Sequence, residues 1–166
     1  HYRVKSRDAS GNFATSDDFI FTTTAISARP NILLFITDNQ DPGSVDGIMA
    51  KVQQHIEKLG TRFTNTVIPY PLCCPSRSAI LTGQYNHNNG VLGNFAPRGG
   101  ITKLKQSQTL AVWLQNAGYY TGLIGKYLND YGSKDTNGAD GLPACREVPP
   151  GWSEWYGLVD NKAAAN

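Results

Sequence analysis

Hydrophobic residues change their spacing twice between residues 29 and 60. Residues 31–37 form a nearly continuous apolar run, which is typical of a strand buried on both faces of a parallel sheet. Apolar residues then recur at helical spacing over residues 45–59, with Ser44 as a possible N-cap and Gly60 as the C-terminal stop. The pattern therefore predicts a buried strand followed by an amphipathic helix.

The same alternation continues along the chain. It predicts a strand, two helices and a further strand, over residues 62–69, 75–82, 107–117 and 119–124. Strands that alternate with helices favour the α/β class with a parallel sheet. Ligands of such sheets gather beyond the carboxyl ends of the strands, and Asp38 and Lys126 both fall at such ends.

The first 24 residues show a different pattern. Tyr2 and Val4 alternate with polar neighbours, residues 6–12 are rich in turn formers, and residues 19–22 have high β propensity. We therefore predict a β-hairpin. Residues 1–24 resemble the end of a fibronectin type III-like β-sandwich domain, and residues 25–28 are interpreted as a linker to a second domain over 29–166.

Charge and cysteine content narrow the function classes. The 166 residues carry 15 Lys and Arg against 13 Asp and Glu, a net charge of +2. The basic residues are scattered, so we expect no nucleic-acid partner. No apolar run is long enough for a membrane span. The three cysteines, Cys73, Cys74 and Cys145, form neither a disulfide framework nor a CxxC metal pair.

The richest chemistry lies around Cys73. Pro75 suits the first turn of a helix, which places Cys73 beside the helix N-terminus, where anions are favoured. Arg77 follows four residues later and shares the same face. The pattern allows a nucleophile, a cation and backbone donors around one anionic group. It also allows a buried structural cysteine with a nearby arginine.

A longer motif favours the first alternative. Cys73, Pro75, Ser76 and Arg77, followed by residues 81–83, resemble the Cys-x-Pro-Ser-Arg signature of type I sulfatases. The resemblance implies an alkaline-phosphatase-like α/β sheet with flanking helices, of which this chain is the N-terminal portion. It also implies that Cys73 is oxidised to formylglycine (3-oxoalanine) by a formylglycine-generating enzyme. The hydrated aldehyde would attack sulfur and then release sulfate.

Two further segments resemble the same family. Asp38 and Asn39 stand where the family binds calcium, which implies metal ligation by Asp38, Asn39 and the modified Cys73. Asn39 keeps a carbonyl oxygen but lacks the charge of the more usual Asp. Lys126 matches a lysine that contacts sulfate together with Arg77. No family role attaches to His87, which is more often a structural or surface residue.

Leu128 points to one branch of the family. Many relatives have histidine there, whereas the N-acetylglucosamine-6-sulfatase and heparan sulfatase branch does not. The resemblance covers residues 29–166 and implies a sulfated carbohydrate substrate and a secreted or periplasmic location.

Two alternatives remain open at this level. Phosphoester and phosphonate hydrolases of the same superfamily share the cysteine motif, and a non-catalytic glycan-binding relative would keep the fold without turnover. Because the resembled enzymes are longer, we expect residues 29–166 alone to be inactive. We also expect them to be poorly soluble or molten, since apolar faces would be exposed.

Overall fold

The computed structural model describes residues 3–20, 29–132 and 147–159. The chain forms two compact units, His1–Thr37 and Asp38–Asn166. The predicted linker at 25–28 lies outside the described residues. The assignment of residues 1–24 to a partial β-sandwich stays a prediction.

The first unit contains the predicted hairpin. Strands β1 (Lys5–Arg7) and β2 (Phe13–Thr15) pair antiparallel. The turn is fastened by Asp8, whose carboxylate accepts hydrogen bonds from the Ser10 and Asn12 amides at 3.0 and 2.8 Å. The second strand therefore lies before residues 19–22, because the Asp8 turn closes the hairpin early.

The strand predicted over residues 31–37 is wrong. The structure gives these residues no regular hydrogen bonding, and Leu33 and Phe35 are 78% and 73% exposed. A strand of this composition forms only where neighbouring strands pair with its backbone and helices cover both faces of the sheet. Among the described residues, no strand pairs with it. Residues 62–69 likewise form no strand.

The predicted amphipathic helix is present in three pieces. These are α1 (Pro42–Ile48), α2 (Ala50–Val52) and a π-helical turn (Gln53–Glu57). The N-cap is Asp41 and not Ser44, because the Asp41 carboxylate accepts the Gly43 amide at 2.7 Å. The segment therefore begins earlier than the apolar spacing indicates.

The remaining elements surround the core of the second unit. They are α3 (Cys73–Thr82), α4 (Asn86–Asn89), a 3₁₀ turn (Ile101–Lys103), α5 (Leu110–Asn116), β3 (Gly122–Gly125) and β4 (Glu154–Gly157). Strands β3 and β4 pair in parallel, with Gly122 opposite Glu154, so the parallel arrangement is confirmed for this pair. Within the described parts of the chain, no helix is long and apolar enough to cross a bilayer.

The core lies where α3 meets the segment that follows β3. Its buried members are Cys74, Leu81, Val91, Ile101, Leu104, Tyr127, Leu128 and Tyr131. Two of them, Cys74 and Tyr127, are sequence neighbours of the predicted site residues Cys73 and Lys126. Packing of the core therefore fixes the backbone on which the site is built.

Candidate active site

Helix α3 starts at Cys73 for local reasons. Leu72 has extended dihedral angles (φ −142°, ψ 144°), and Pro75 occupies the first turn, where its missing N–H costs no intrahelical bond. The Ser76 amide donates to the Leu72 carbonyl at 2.8 Å. Gly83 ends the helix with φ 63°. Cys73 thus occupies the first helical position and is half-buried.

The neighbouring Cys74 has a different environment. It is fully buried, and burial raises the pKa of its thiol to about 11. Its amide donates to Asn94 Oδ1 at 3.0 Å, and its carbonyl accepts a short hydrogen bond from Ser78 Oγ. Cys74 is a core residue, which leaves Cys73 as the accessible thiol of the pair.

Arg77 lies one turn after Cys73 and is almost completely buried. Its Nη1 donates to the main-chain carbonyl of Lys126 at 2.7 Å, and its Nη2 lies 3.4 Å from Asp38 Oδ1. The first bond ties α3 to the residue that directly follows β3. The second brings the guanidinium to a carboxylate.

Lys126 approaches the same carboxylate. Its Nζ donates to Asp38 Oδ2 at 2.7 Å, and the lysine side chain is 15% exposed. The hydrogen bond from Lys126 is the main cause that lowers the pKa of Asp38. Desolvation opposes this shift, whereas the charges of Lys126 and Arg77 add to it. Three predicted site residues, distant in sequence, therefore meet in one cluster.

Asn39 does not join this cluster by a hydrogen bond within the described part of the chain. It is exposed and has φ 54°, a left-handed conformation that asparagine tolerates better than most residues. The positive φ turns the chain sharply just after Asp38.

The described residues do not on their own form a calcium site. Calcium requires six to eight oxygen ligands. No group of three or more His, Cys, Asp or Glu side chains converges anywhere in residues 3–20, 29–132 or 147–159. Asp38 offers a single carboxylate, and both of its oxygens accept hydrogen bonds from cations.

His87 lies on α4, and the described part of the chain shows no contact between it and Asp38, Arg77 or Lys126. Its ring stacks on Tyr85 with centroids 5.8 Å apart, and it is exposed. This placement is that of a surface histidine.

Sequence reasoning missed the residues that support the site. Trp155 Nε1 donates to the Tyr131 hydroxyl at 2.6 Å, and the Tyr127 ring lies 4.9 Å from that of Trp155. This aromatic cluster anchors the residue next to Lys126. The density of aromatic residues near 127–131 and 152–156 was an available signal. No local pattern in the sequence indicates the role of Asn94, because it lies 20 residues from its partner Cys74.

A buried arginine and a half-buried lysine thus meet at one carboxylate, and a half-buried thiol lies at the N-terminus of the helix that carries the arginine. Cationic donors of this kind are suited to binding a negatively charged group.

Comparison with known proteins identifies the family. Residues 30–157 match the Sulfatase family. The chain is 40% identical over 145 residues to a Caenorhabditis elegans extracellular sulfatase Sulf-1 homolog, covering 85% of this chain and 19% of the relative. It is 37% identical over 155 residues to human N-acetylglucosamine-6-sulfatase, covering 89% of this chain and 27% of the relative. No solved structure matches.

The chain belongs to the sulfatase family, near the branch of N-acetylglucosamine-6-sulfatase. The predicted alkaline-phosphatase-like α/β class is thereby confirmed. The chain spans about a fifth to a quarter of the length of these two relatives.

Proposed function

We propose that the protein hydrolyses sulfate esters of an amino sugar or polysaccharide, of the N-acetylglucosamine 6-sulfate type. The observation that carries this proposal is the meeting of Arg77 and Lys126 on one carboxylate, with Arg77 one turn after Cys73. Two cations so close together suit a tetrahedral dianion or monoanion.

The substrate class is supported by the named relatives. Similarity extends to proteins called N-acetylglucosamine-6-sulfatase in human and goat, at 37% and 38% identity. It also extends to extracellular sulfatases of C. elegans and Drosophila melanogaster. An extracytoplasmic location, secreted or periplasmic, agrees with the latter names.

In this proposal Cys73 is oxidised to formylglycine by a formylglycine-generating enzyme, which supplies the oxidant. One hydroxyl of the hydrated aldehyde attacks sulfur while the sugar alcohol leaves, and the second hydroxyl, on losing its proton, expels sulfate and restores the aldehyde. Arg77 holds sulfate oxygens through a guanidinium whose position is fixed by the Lys126 carbonyl. The Lys126 ammonium adds a second charge-assisted hydrogen bond. Both cations stabilise the charge that develops on the sulfuryl oxygens.

Calcium completes the proposal. Asp38, the side-chain carbonyl of Asn39 and the modified Cys73 would contribute oxygen ligands, and the calcium ion would polarise the sulfate. Since calcium needs more oxygens than these, the further ligands would come from outside the described residues.

The first test is mass spectrometry of the tryptic peptide 63–77 from full-length protein made in a host that oxidises sulfatase cysteines. It contains both Cys73 and Cys74. We expect one thiol to be replaced by an aldehyde, localised to Cys73 by fragmentation. Two intact thiols under these conditions would contradict the proposed nucleophile.

The second test compares turnover of N-acetylglucosamine 6-sulfate with that of the 6-phosphate. We expect sulfate turnover, and a loss of about 100-fold or more in kcat/KM for Lys126→Ala. Lys105→Ala, which removes an exposed lysine, is the matched control and should have little effect. Preference for the phosphate ester would instead favour the phosphohydrolase alternative.

A further inference from the structure

Helix α3 is capped by a residue far away in sequence. Leu72, at the N-cap position, has no side chain that can accept a hydrogen bond. In the first turn, Pro75 has no N–H and the Ser76 amide is bonded to the Leu72 carbonyl. The Cys74 amide is instead accepted by Asn94 Oδ1 at 3.0 Å. Asn94 thus does what an N-cap side chain normally does.

We propose that Asn94 is a positioning residue for the nucleophile, acting through the Cys74 amide. The proposal rests on the proposed function of Cys73. The peptide unit that joins Cys73 to Cys74 is planar, so a hydrogen bond at the Cys74 nitrogen fixes the plane that contains the Cys73 α-carbon and carbonyl. Since Cys73 is the first helical residue, its helical backbone conformation and that plane together set the direction in which its side chain leaves the helix.

The other side of this peptide pair is also fixed. Ser78 Oγ holds the Cys74 carbonyl, and the Cys74 side chain is in the core. Asn86, like Asn94, belongs to the segment after α3, and its Nδ2 donates to the Pro75 carbonyl at 2.7 Å. The first turn is therefore held from within the helix and by two side-chain amides that lie outside it.

Asn94 is itself held in place by a closed loop. The Leu92 amide donates to the Arg98 carbonyl at 2.8 Å, and Gly93 forms a β-bridge with Gly99. A β-carbon at Gly99 would overlap the backbone of Gly93. The two sides of the loop can therefore approach this closely only because residue 99 is glycine. The acceptor is thus presented by a tightly closed loop.

The test uses four forms of the full-length protein: wild type, Asn94→Ala, Asn94→Asp and the double variant Leu72→Ser/Asn94→Ala. Asn94→Asp keeps the acceptor oxygen. In the double variant, the introduced serine would lie at the N-cap in an extended conformation, where a hydroxyl accepts from the second or third amide of the helix. Pro75 removes the third, so the Cys74 amide is the target.

Activity is measured as kcat and KM per formylglycine-containing molecule, with the converted fraction taken from mass spectrometry. We expect Asn94→Ala to lower kcat by about 10- to 100-fold, with KM changed less than about threefold. Asn94→Asp and the double variant should restore most of the loss in kcat. Rescue by Leu72→Ser distinguishes a role through the Cys74 amide from direct contact between Asn94 and substrate.

Normal kcat in Asn94→Ala would overturn the proposal, as would failure of a folded double variant to recover. If neither alanine-containing variant folds, the kcat of Asn94→Asp decides, and a loss of about tenfold or more overturns the proposal. Hydrogen exchange of the Cys74 amide separates this proposal from the proposed function. In an inactive protein, faster exchange in Asn94→Ala and its reversal in the double variant would support the capping role, whereas unchanged exchange would overturn it.

Discussion

Replacement of Arg77 by lysine tests whether burial determines how much this cation contributes to the free energy of unfolding. The substitution keeps the positive charge but replaces a planar fork by a single ammonium. Arg77 uses two nitrogens, one on the Lys126 carbonyl at 2.7 Å and one at 3.4 Å from Asp38. A lysine at this helix position can serve only one of these acceptors, and we expect its ammonium to turn to the charged Asp38 carboxylate and to leave the Lys126 carbonyl without this donor.

The magnitude follows from the bonds that are lost. Loss of the hydrogen bond from the buried guanidinium to the Lys126 carbonyl should cost about 1.5–3 kcal/mol in free energy of unfolding. The longer contact adds little, because the Asp38 side chain is 40% exposed and keeps Lys126 as a partner. We therefore expect Arg77→Lys to destabilise the protein by about 2 kcal/mol.

Arg62→Lys is the matched control. Arg62 makes three short hydrogen bonds, two to Asp46 and one to Glu57, but its side chain is 44% exposed. Exposed pairs of this kind contribute little to stability, because solvent screens the charges and ordering the long side chains costs entropy. If the number of hydrogen bonds decided the cost, Arg62→Lys would destabilise the protein more than Arg77→Lys. If burial decides the cost, Arg62→Lys destabilises it less.

Urea unfolding of the full-length protein, followed by circular dichroism, measures both variants. Because both variants share nearly the same slope of unfolding free energy against urea concentration, the midpoint should fall several times further for Arg77→Lys than for Arg62→Lys. Equal shifts, or a larger shift for Arg62→Lys, would refute the argument that burial decides the cost.

Three further predictions concern the core, the loop and the exposed segment. In unmodified protein, iodoacetamide should alkylate Cys74 about 100-fold more slowly than Cys73 near neutral pH, and the Cys74 rate should rise until the pH approaches about 11. Equal rates for the two thiols would contradict the burial of Cys74. Gly99→Ala should lower Tm by several degrees, since the new β-carbon meets backbone and not a movable side chain, and an unchanged Tm would show that the loop is looser than described. The 166-residue chain should bind the dye ANS, and Leu33→Ser/Phe35→Ser should reduce its fluorescence, whereas undiminished fluorescence would place the exposed apolar surface elsewhere.

Local signals carried most of what the sequence could predict about the site. The start of α3 follows from Pro75 and its end from Gly83, both of which act within one turn. The position of Lys126 directly after β3 follows from apolar and glycine-rich residues before it. These short-range features place Arg77 on its helix and Lys126 at the end of its strand, but the contact between the two residues, 49 apart in sequence, depends on tertiary packing.

Features that depend on distant partners could not be predicted in this way. The apolar run at 31–37 has the composition of a central strand, but a strand exists only when another strand accepts its hydrogen bonds. The role of Asn94 depends on a loop that returns to α3 after 20 residues. The choice of Asp41 over Ser44 as N-cap depends on Pro42, since both residue types cap helices well.

Arg77 donates a hydrogen bond to the main chain of residue 126 and not to its side chain. Holding the fold together and contacting a ligand are therefore assigned to different parts of residue 126. The main-chain carbonyl of residue 126 joins α3 to the end of β3 and is common to all amino acids, whereas in the proposed function only the side chain of residue 126 contacts the anion, together with Arg77. Protein engineers could therefore exchange the side chain at position 126 to change anion selectivity while the scaffold joint is retained. For the same reason, natural substitutions of the side chain at position 126 could change which anion is bound while the hydrogen bond from Arg77 to the main chain is kept.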